Sequence, residues 1–319
     1  MNETETIGAD LGGTKLAVGV VDAASQTLWK DEVPSAGYSQ EAVIDLLAEE
    51  ILRAREVRPD VAAVGMGIPA RIHFESGHAI DTVNLDFEDF PVRDLIEERT
   101  GLPAFVDNDG NLAMMAEALY GAAKGSRNAL MLTLGTGVGG GVWIDGDIFR
   151  GSTGAGAELG HTVVDIDGPP CQGNCPGRGC VEVFASGTGI GRMGAEAAAE
   201  HPDSALGRMA SSGERVGGRQ VNEAATAGDP VALAVLDRVA GYLGTALVTL
   251  SNIFEPEVIV LGGGAMALGE LLLEPTRHEV LTRALSPMNE TPIVAATLGP
   301  AAGMIGAASL ARIELEKAG

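Results

Sequence analysis

Two stretches of this chain repeat one local plan: an apolar strand, a turn of glycine and threonine, and a second apolar strand. The first runs Thr6-Ile7-Gly8-Ala9-Asp10, then Leu11-Gly12-Gly13-Thr14-Lys15, then residues 16–21. The second runs over residues 129–134, then Gly135-Thr136-Gly137-Val138-Gly139-Gly140-Gly141, then residues 142–144. A glycine turn between two apolar runs reads as a hairpin. Its recurrence after helical segments predicts an α/β chain with two similar lobes. The 319 residues suffice for two cores, and with only 4% aromatic residues those cores must be packed from Ala, Val, Leu and Ile.

Between the turns, apolar periodicity predicts further strands at 27–33, 61–68, 104–106, 258–261 and 293–295. Helices are predicted at 40–55, 92–98, 111–120, 183–199, 220–227, 230–253, 270–284 and 301–316. Residues 151–179, rich in Gly, Pro and Cys, read as an irregular loop. A smaller lobe over 1–118 and a larger one over 119–299, carrying the loop 161–180, is the expected division.

The net charge of −23 and a pI near 4.5 describe a surface that repels nucleic acid and anionic membranes, so neither is expected as a partner. The start Met1-Asn2-Glu3-Thr4-Glu5 is acidic, unlike a secretory leader, and residues 231–250 carry Asp237 and Arg238, so no membrane span is expected. The expectation is a cytoplasmic protein, and its three cysteines do not suggest a disulfide framework.

Several groups have the chemistry of a site. In Asp10-Leu11-Gly12-Gly13-Thr14-Lys15 the glycines let backbone approach a phosphate, Thr14 and Lys15 add donors, and Asp10 suits Mg2+ through water. An ordinary hairpin turn is the competing reading. The Gly135–Gly141 stretch has the same logic, and Gly262-Gly263-Gly264 is a third glycine cluster at a strand end. In Val106-Asp107-Asn108-Asp109-Gly110-Asn111 one carboxylate suits a general base, and Asp109 or Asn108 equally suits a helix N-cap. His161, Cys171, Cys175 and Cys180, spaced H-x9-C-x3-C-x4-C, are a tetrahedral set for structural zinc. Glu158 and Glu182 flank that set. They suit sugar diols, and equally surface charges or partners of His161.

Asp10-Leu11-Gly12-Gly13-Thr14-Lys15, Asn108-Asp109-Gly110-Asn111, Glu158-Leu159-Gly160-His161 and Gly179-Cys180-Val181-Glu182 together resemble the ROK family (repressors, open reading frames and kinases), in the same order along almost the whole chain. The resemblance implies a two-lobed actin-like (ribonuclease H-like) ATPase fold with the active site in the interlobe cleft, and a last helix, about 300–319, that returns to the first lobe. It implies ATP-dependent phosphorylation of glucose at the C6 hydroxyl, with Asp109 as base. Asn84, Asn108, Glu158, His161 and Glu182 would bind sugar hydroxyls. Asp10, Gly12, Gly13, Thr14, Lys15, Thr136 and Gly137 would surround the phosphates, and Gly262, Gly263 and Gly264 the adenosine. A homodimer or homotetramer, with Mg2+ and zinc, is implied too.

The chain departs from the family pattern in places. The family spacing C-x-C-x4-C puts a cysteine where Gly173 stands, and Cys171 lies two residues earlier. Ala70 stands where the family has Gly, Val83 where it has Pro, and Gly156-Ala157-Glu158 where it has Ala-Gly-Glu. Kinases for mannose, fructose, allose or N-acetylhexosamines are the alternatives, as is a polyphosphate donor. A sugar-sensing repressor is disfavoured, because only nine residues precede Asp10.

Overall fold

A computed structural model describes residues 4–82 and 88–318. Asn84, with Val83 and Phe87, lies outside the described residues. In chain order the elements are β1 (Thr6–Leu11), β2 (Lys15–Val21), β3 (Thr27–Pro34), α1 (Gln40–Val57), β4 (Val64–Ile68), β5 (Ala70–His73), β6 (His78–Thr82), β7 (Glu88–Phe90), α2 (Val92–Thr100), β8 (Ala104–Asn108) and α3 (Asp109–Tyr120). There follow β9 (Ala129–Leu134), β10 (Val138–Ile144), β11 (Asp147–Ile148), α4 (Glu182–Ala185), α5 (Gly187–Glu200), α6 (Ala205–Ser211), α7 (Gly218–Thr226), α8 (Pro230–Phe254), β12 (Val258–Gly262), α9 (Glu270–Arg283), β13 (Ile293–Ala295) and α10 (Ala302–Ala318). Two compact units divide the chain: Met1–Gly125 with Gly141–Ala157 and Thr297–Gly319, and Ser126–Gly140 with Glu158–Ala296.

The first unit is built on a sheet of order β3-β2-β1-β4-β8. β1, β2 and β3 are antiparallel, whereas β1, β4 and β8 run parallel. α1 turns Val43, Ile44, Leu47 and Ile51 into the core, where they join Ile7, Leu16, Val18 and Met66. α10 packs on β1 and β4. The approach is so close that a Cβ on Gly8 would lie 2.0 Å from the Met304 carbonyl oxygen, and one on Gly65 1.8 Å from that of Ala307. Only glycine permits this contact of helix on sheet.

The sheet of order β11-β10-β9-β12-β13 has β9, β12 and β13 parallel. In the second unit α8 packs on α9, α7, α5 and α4. By length and composition alone α8 is long and apolar enough to cross a membrane, its Asp237 and Arg238 notwithstanding. Its Val235, Leu236, Val239, Leu243 and Leu247 are buried instead inside this unit.

The structure also departs from the predicted elements in ways that bear on the site. A three-stranded sheet, β5-β6-β7, occupies a region with no predicted strand. β10 starts at Val138, so Gly139, Gly140 and Gly141 are strand and not turn. The helix expected over 183–199 is broken at Ser186, whose side chain caps α5 by accepting from the Gly189 amide. α6 is additional, with Ser204 as its cap.

Candidate functional site

The parallel strands of the first unit end together. Asp10 on β1 pairs in register with Gly67 on β4, and Gly67 with Asp107 on β8, while Ile68 pairs with Asn108. Carboxyl ends of parallel strands are where α/β proteins place ligands. α3 starts directly at Asp109, and its cap is Asn108: the Asn108 side-chain Oδ1 accepts from the amides of Gly110 at 2.9 Å and Asn111 at 3.3 Å. The Asn108 side-chain Nδ2 also donates to the Ala70 carbonyl at 3.1 Å. Capping therefore belongs to Asn108. The Asp109 carboxylate accepts from the adjacent Gly110 amide at 2.9 Å.

Burial pushes the Asp109 carboxyl above the ordinary range, with the Gly110 amide opposing. Burial also raises Asp10, to about 7, and the nearby charge of Asp109 adds to the rise while Lys15 and Lys30 oppose it. Two carboxylates that resist ionising side by side would be relieved by a cation. Gly303 on α10 packs against this carboxylate, a Cβ there falling 2.3 Å from an Asp10 oxygen.

The first glycine turn is closed by the Gly12 amide donating to the Lys15 carbonyl at 2.8 Å. Buried Ser35 holds it from beneath, its hydroxyl donating to the Gly12 carbonyl at 2.9 Å and its amide to the Thr14 carbonyl at 3.1 Å. Gly13, Thr14 and Lys15 are exposed. Lys15 and Lys30 both pair with Glu32, at 3.2 and 2.7 Å, which holds the Glu32 carboxyl below its ordinary range. Such an exposed pair is worth little and can be exchanged for a phosphate.

Asp107 has a different part. It is fully buried and carries an ion pair: Arg150 donates to it at 2.7 Å, the Asn111 side chain at 2.9 Å and the Asn108 amide at 2.8 Å. Burial raises its pKa, and Arg150 with the two other donors opposes. The Arg150 guanidinium also lies 3.8 Å from the Phe74 ring centre. This pair ties the strand end that bears Asn108 and Asp109 to the loop after β11. The sequence reading missed Arg150, and no signal links it to a residue 43 positions away.

In the second unit, Gly135-Thr136-Gly137 turns between β9 and β10, its Gly135 amide donating to the Gly137 carbonyl at 2.9 Å. α5 supports it, through the Gly187 amide on the Gly135 carbonyl at 2.7 Å and the Thr188 hydroxyl on the Thr136 carbonyl at 2.8 Å. The third cluster lies beside it. Gly262 pairs with Thr133, and Gly263, at φ +86°, approaches Leu134 so closely that a Cβ would lie 2.6 Å from its backbone. Gly264 then opens a turn of 3-10 helix.

His161, Cys171, Cys175 and Cys180 do converge: their donor atoms all lie within 4.8 Å of one another. Cys171, two residues off the family spacing, is brought in with its sulfur 3.5 Å from His161 Nδ1. A tetrahedral zinc with bonds of about 2.0–2.3 Å needs neighbouring donors about 3.5 Å apart. Burial and the neighbouring thiols raise Cys171, and burial first raises Cys180. Three thiols crowded with no cation are disfavoured as thiolates, and a dication reverses that. The cluster is compatible with zinc. His161 Nε2 faces Glu158 at 3.9 Å. Glu158 is exposed and follows Ala157, whose φ of +65° is left-handed, at the position where the family pattern has glycine. Glu182 is the first residue of α4; it accepts from the Val138 amide at 2.8 Å and lies 3.8 Å from the Cys171 sulfur.

Two α/β units of strand, glycine turn and strand, with a carboxylate pair in the first, define the class: an actin-like ATPase fold. A ROK family glucokinase structure from Streptomyces griseus, in complex with glucose and AMPPNP, superposes with a TM-score of 0.86 at 35% identity, covering 97% of this chain and 99% of that one. Glucokinases from Thermotoga maritima and Halalkalibacterium halodurans are 38% and 37% identical, over 97% and 96% of this chain and 98% and 94% of theirs. The model of the ROK family matches residues 6–314, and the chain belongs to that family.

Proposed function

We propose that this protein is an ATP-dependent glucokinase of cytoplasmic metabolism, acting as a homodimer or homotetramer. The observation that carries the reading is Asp109: Asn108 caps the helix that it starts, and burial raises its pKa above the ordinary carboxylate range, which makes it a stronger base. Asp109 takes the proton of the glucose C6 hydroxyl as that oxygen attacks the γ-phosphorus of ATP. ADP leaves, and glucose 6-phosphate keeps the new P–O bond. Asn108 has a second amide hydrogen to offer a hydroxyl, and Glu158, His161 Nε2 and Glu182 offer acceptors and a ring nitrogen.

Gly12, Gly13, Thr14, Lys15, Thr136 and Gly137 receive the phosphates, and Gly262, Gly263 and Gly264 the adenosine. Asp10 would hold Mg2+ through water. Bound there, Mg2+ neutralises phosphate charge as it develops. His161 Nδ1, Cys171, Cys175 and Cys180 would hold zinc, a closed set with a structural part.

The test is Asp109→Asn. Turnover should fall roughly a thousandfold, while glucose binding, read by calorimetry, changes by less than about twofold. Turnover near the wild-type rate would exclude Asp109 as the base.

A further inference from the structure

Glu182 stands at the junction of the metal cluster and the second glycine turn. One carboxylate oxygen accepts from the Val138 amide at 2.8 Å, and a Cβ on Gly137 would come within 2.4 Å of the same oxygen. The other oxygen lies 3.8 Å from the Cys171 sulfur. Cys180, two residues before Glu182, is buried and belongs to the cluster, so the carboxylate is presented to the turn from an anchored base.

A turn that receives phosphate uses its backbone N–H groups as donors. Here the first amide after the turn is already bonded to an anion. A carboxylate that occupies this N–H leaves it a weaker donor for a phosphate oxygen, and the two negative charges repel at this range. The rest of the turn is held independently, by Gly187 on the Gly135 carbonyl and Thr188 on the Thr136 carbonyl. Releasing Glu182 therefore frees a donor without dismantling the loop.

We propose that Glu182 is a latch between the two substrates: without sugar it masks the Val138 amide, and a hexose hydroxyl draws the carboxylate away and opens that amide to nucleotide phosphate. This rests on the reading of Glu182 as a hexose ligand. By linkage, glucose then tightens nucleotide binding, and nucleotide tightens glucose binding by the same factor. The arrangement disfavours a productive ATP complex before sugar is present, when only water could accept the phosphoryl group.

Two measurements test it. In the wild-type zinc-loaded protein, the exchange rate of the Val138 amide hydrogen is followed by NMR with glucose alone. The latch predicts faster exchange, by about tenfold; unchanged or slower exchange, as general tightening of the fold would give, overturns it. In the second, AMPPNP binding without sugar is measured by calorimetry on Glu182→Gln, which keeps the side-chain size and loses the charge. Binding should be about fivefold tighter than in the wild type, and equal or weaker binding overturns the latch. Failure here with Asp109→Asn still inactive would leave the kinase reading standing and remove only the latch.

Discussion

The two glycine turns share a backbone plan and are supported in opposite ways. The turn after β1 is backed by a buried serine, faced by exposed Lys15 and flanked by Asp10, whose carboxyl burial has raised. The turn after β9 has no acidic residue within it. Its support comes from elements far along the chain, α5 and Glu182, the latter beside the His and Cys cluster. One copy thus carries titratable chemistry in its own strand end. The other has backbone groups alone, and its side-chain support is lent by a residue beside the His and Cys cluster.

The comparison is tested hardest at Arg150. Arg150→Ala leaves Asp107 buried without its cation, next to Asn108 and Asp109 in the chain. Loss of one partner of a buried pair costs about 3–5 kcal/mol. Urea denaturation should show that loss in the first unit, with zinc content unchanged; a loss below about 1 kcal/mol would mean that the pair does not organise the first strand ends.

A smaller effect is expected with pH. Since burial raises Asp10 from 3.8 to about 7, the folded protein keeps a proton that the unfolded chain gives up. The stability from this group is complete below about pH 4 and is lost as pH rises through about 7. Asp109, also raised, adds in the same direction. Thermal melts should therefore fall more steeply from about pH 5.5 to about pH 8 in the wild type than in Asp10→Asn, by an amount on the order of 2 kcal/mol. Parallel profiles would show that the carboxylate pair is not strained.

The smallest change is at Ala157, which holds a left-handed conformation before Glu158. Ala157→Gly should relieve about 1 kcal/mol, offset in part by the greater freedom of the unfolded chain. A higher urea midpoint checks this. A lower one would mean that the Ala157 methyl group contributes packing.

Much of this protein could be read along the chain. β9 and β13 have the boundaries that apolar periodicity predicts, and β1, β2, α1 and α8 differ from prediction by one or two residues. The β5-β6-β7 sheet was not legible, because its strands carry Arg71, His73, His78 and Asp81 and lack an apolar run. The break before α5 was hidden too, since large apolar residues lie on both sides of Ser186, at Val183, Phe184, Ile190 and Met193, and its capping role is visible only once its hydroxyl meets the Gly189 amide.

The site divides along the same line. The glycine turns, the Asn-Asp pair and the four metal-type donors are each local in sequence, and local patterns specify turns, caps and ligand chemistry. Which of Asn108 and Asp109 caps α3 could not be read, because both can; the hydrogen bonds of Asn108 decide it. Cys171 stands off the family spacing, and only the path of the loop brings its sulfur to His161. The Asp107–Arg150 pair and the Glu182–Val138 bond join residues 43 and 44 positions apart. Sequence determined the chemical groups and the turns that carry them. Tertiary structure alone decided which groups meet, because burial and partnership depend on how distant segments pack and not on their neighbours in the chain.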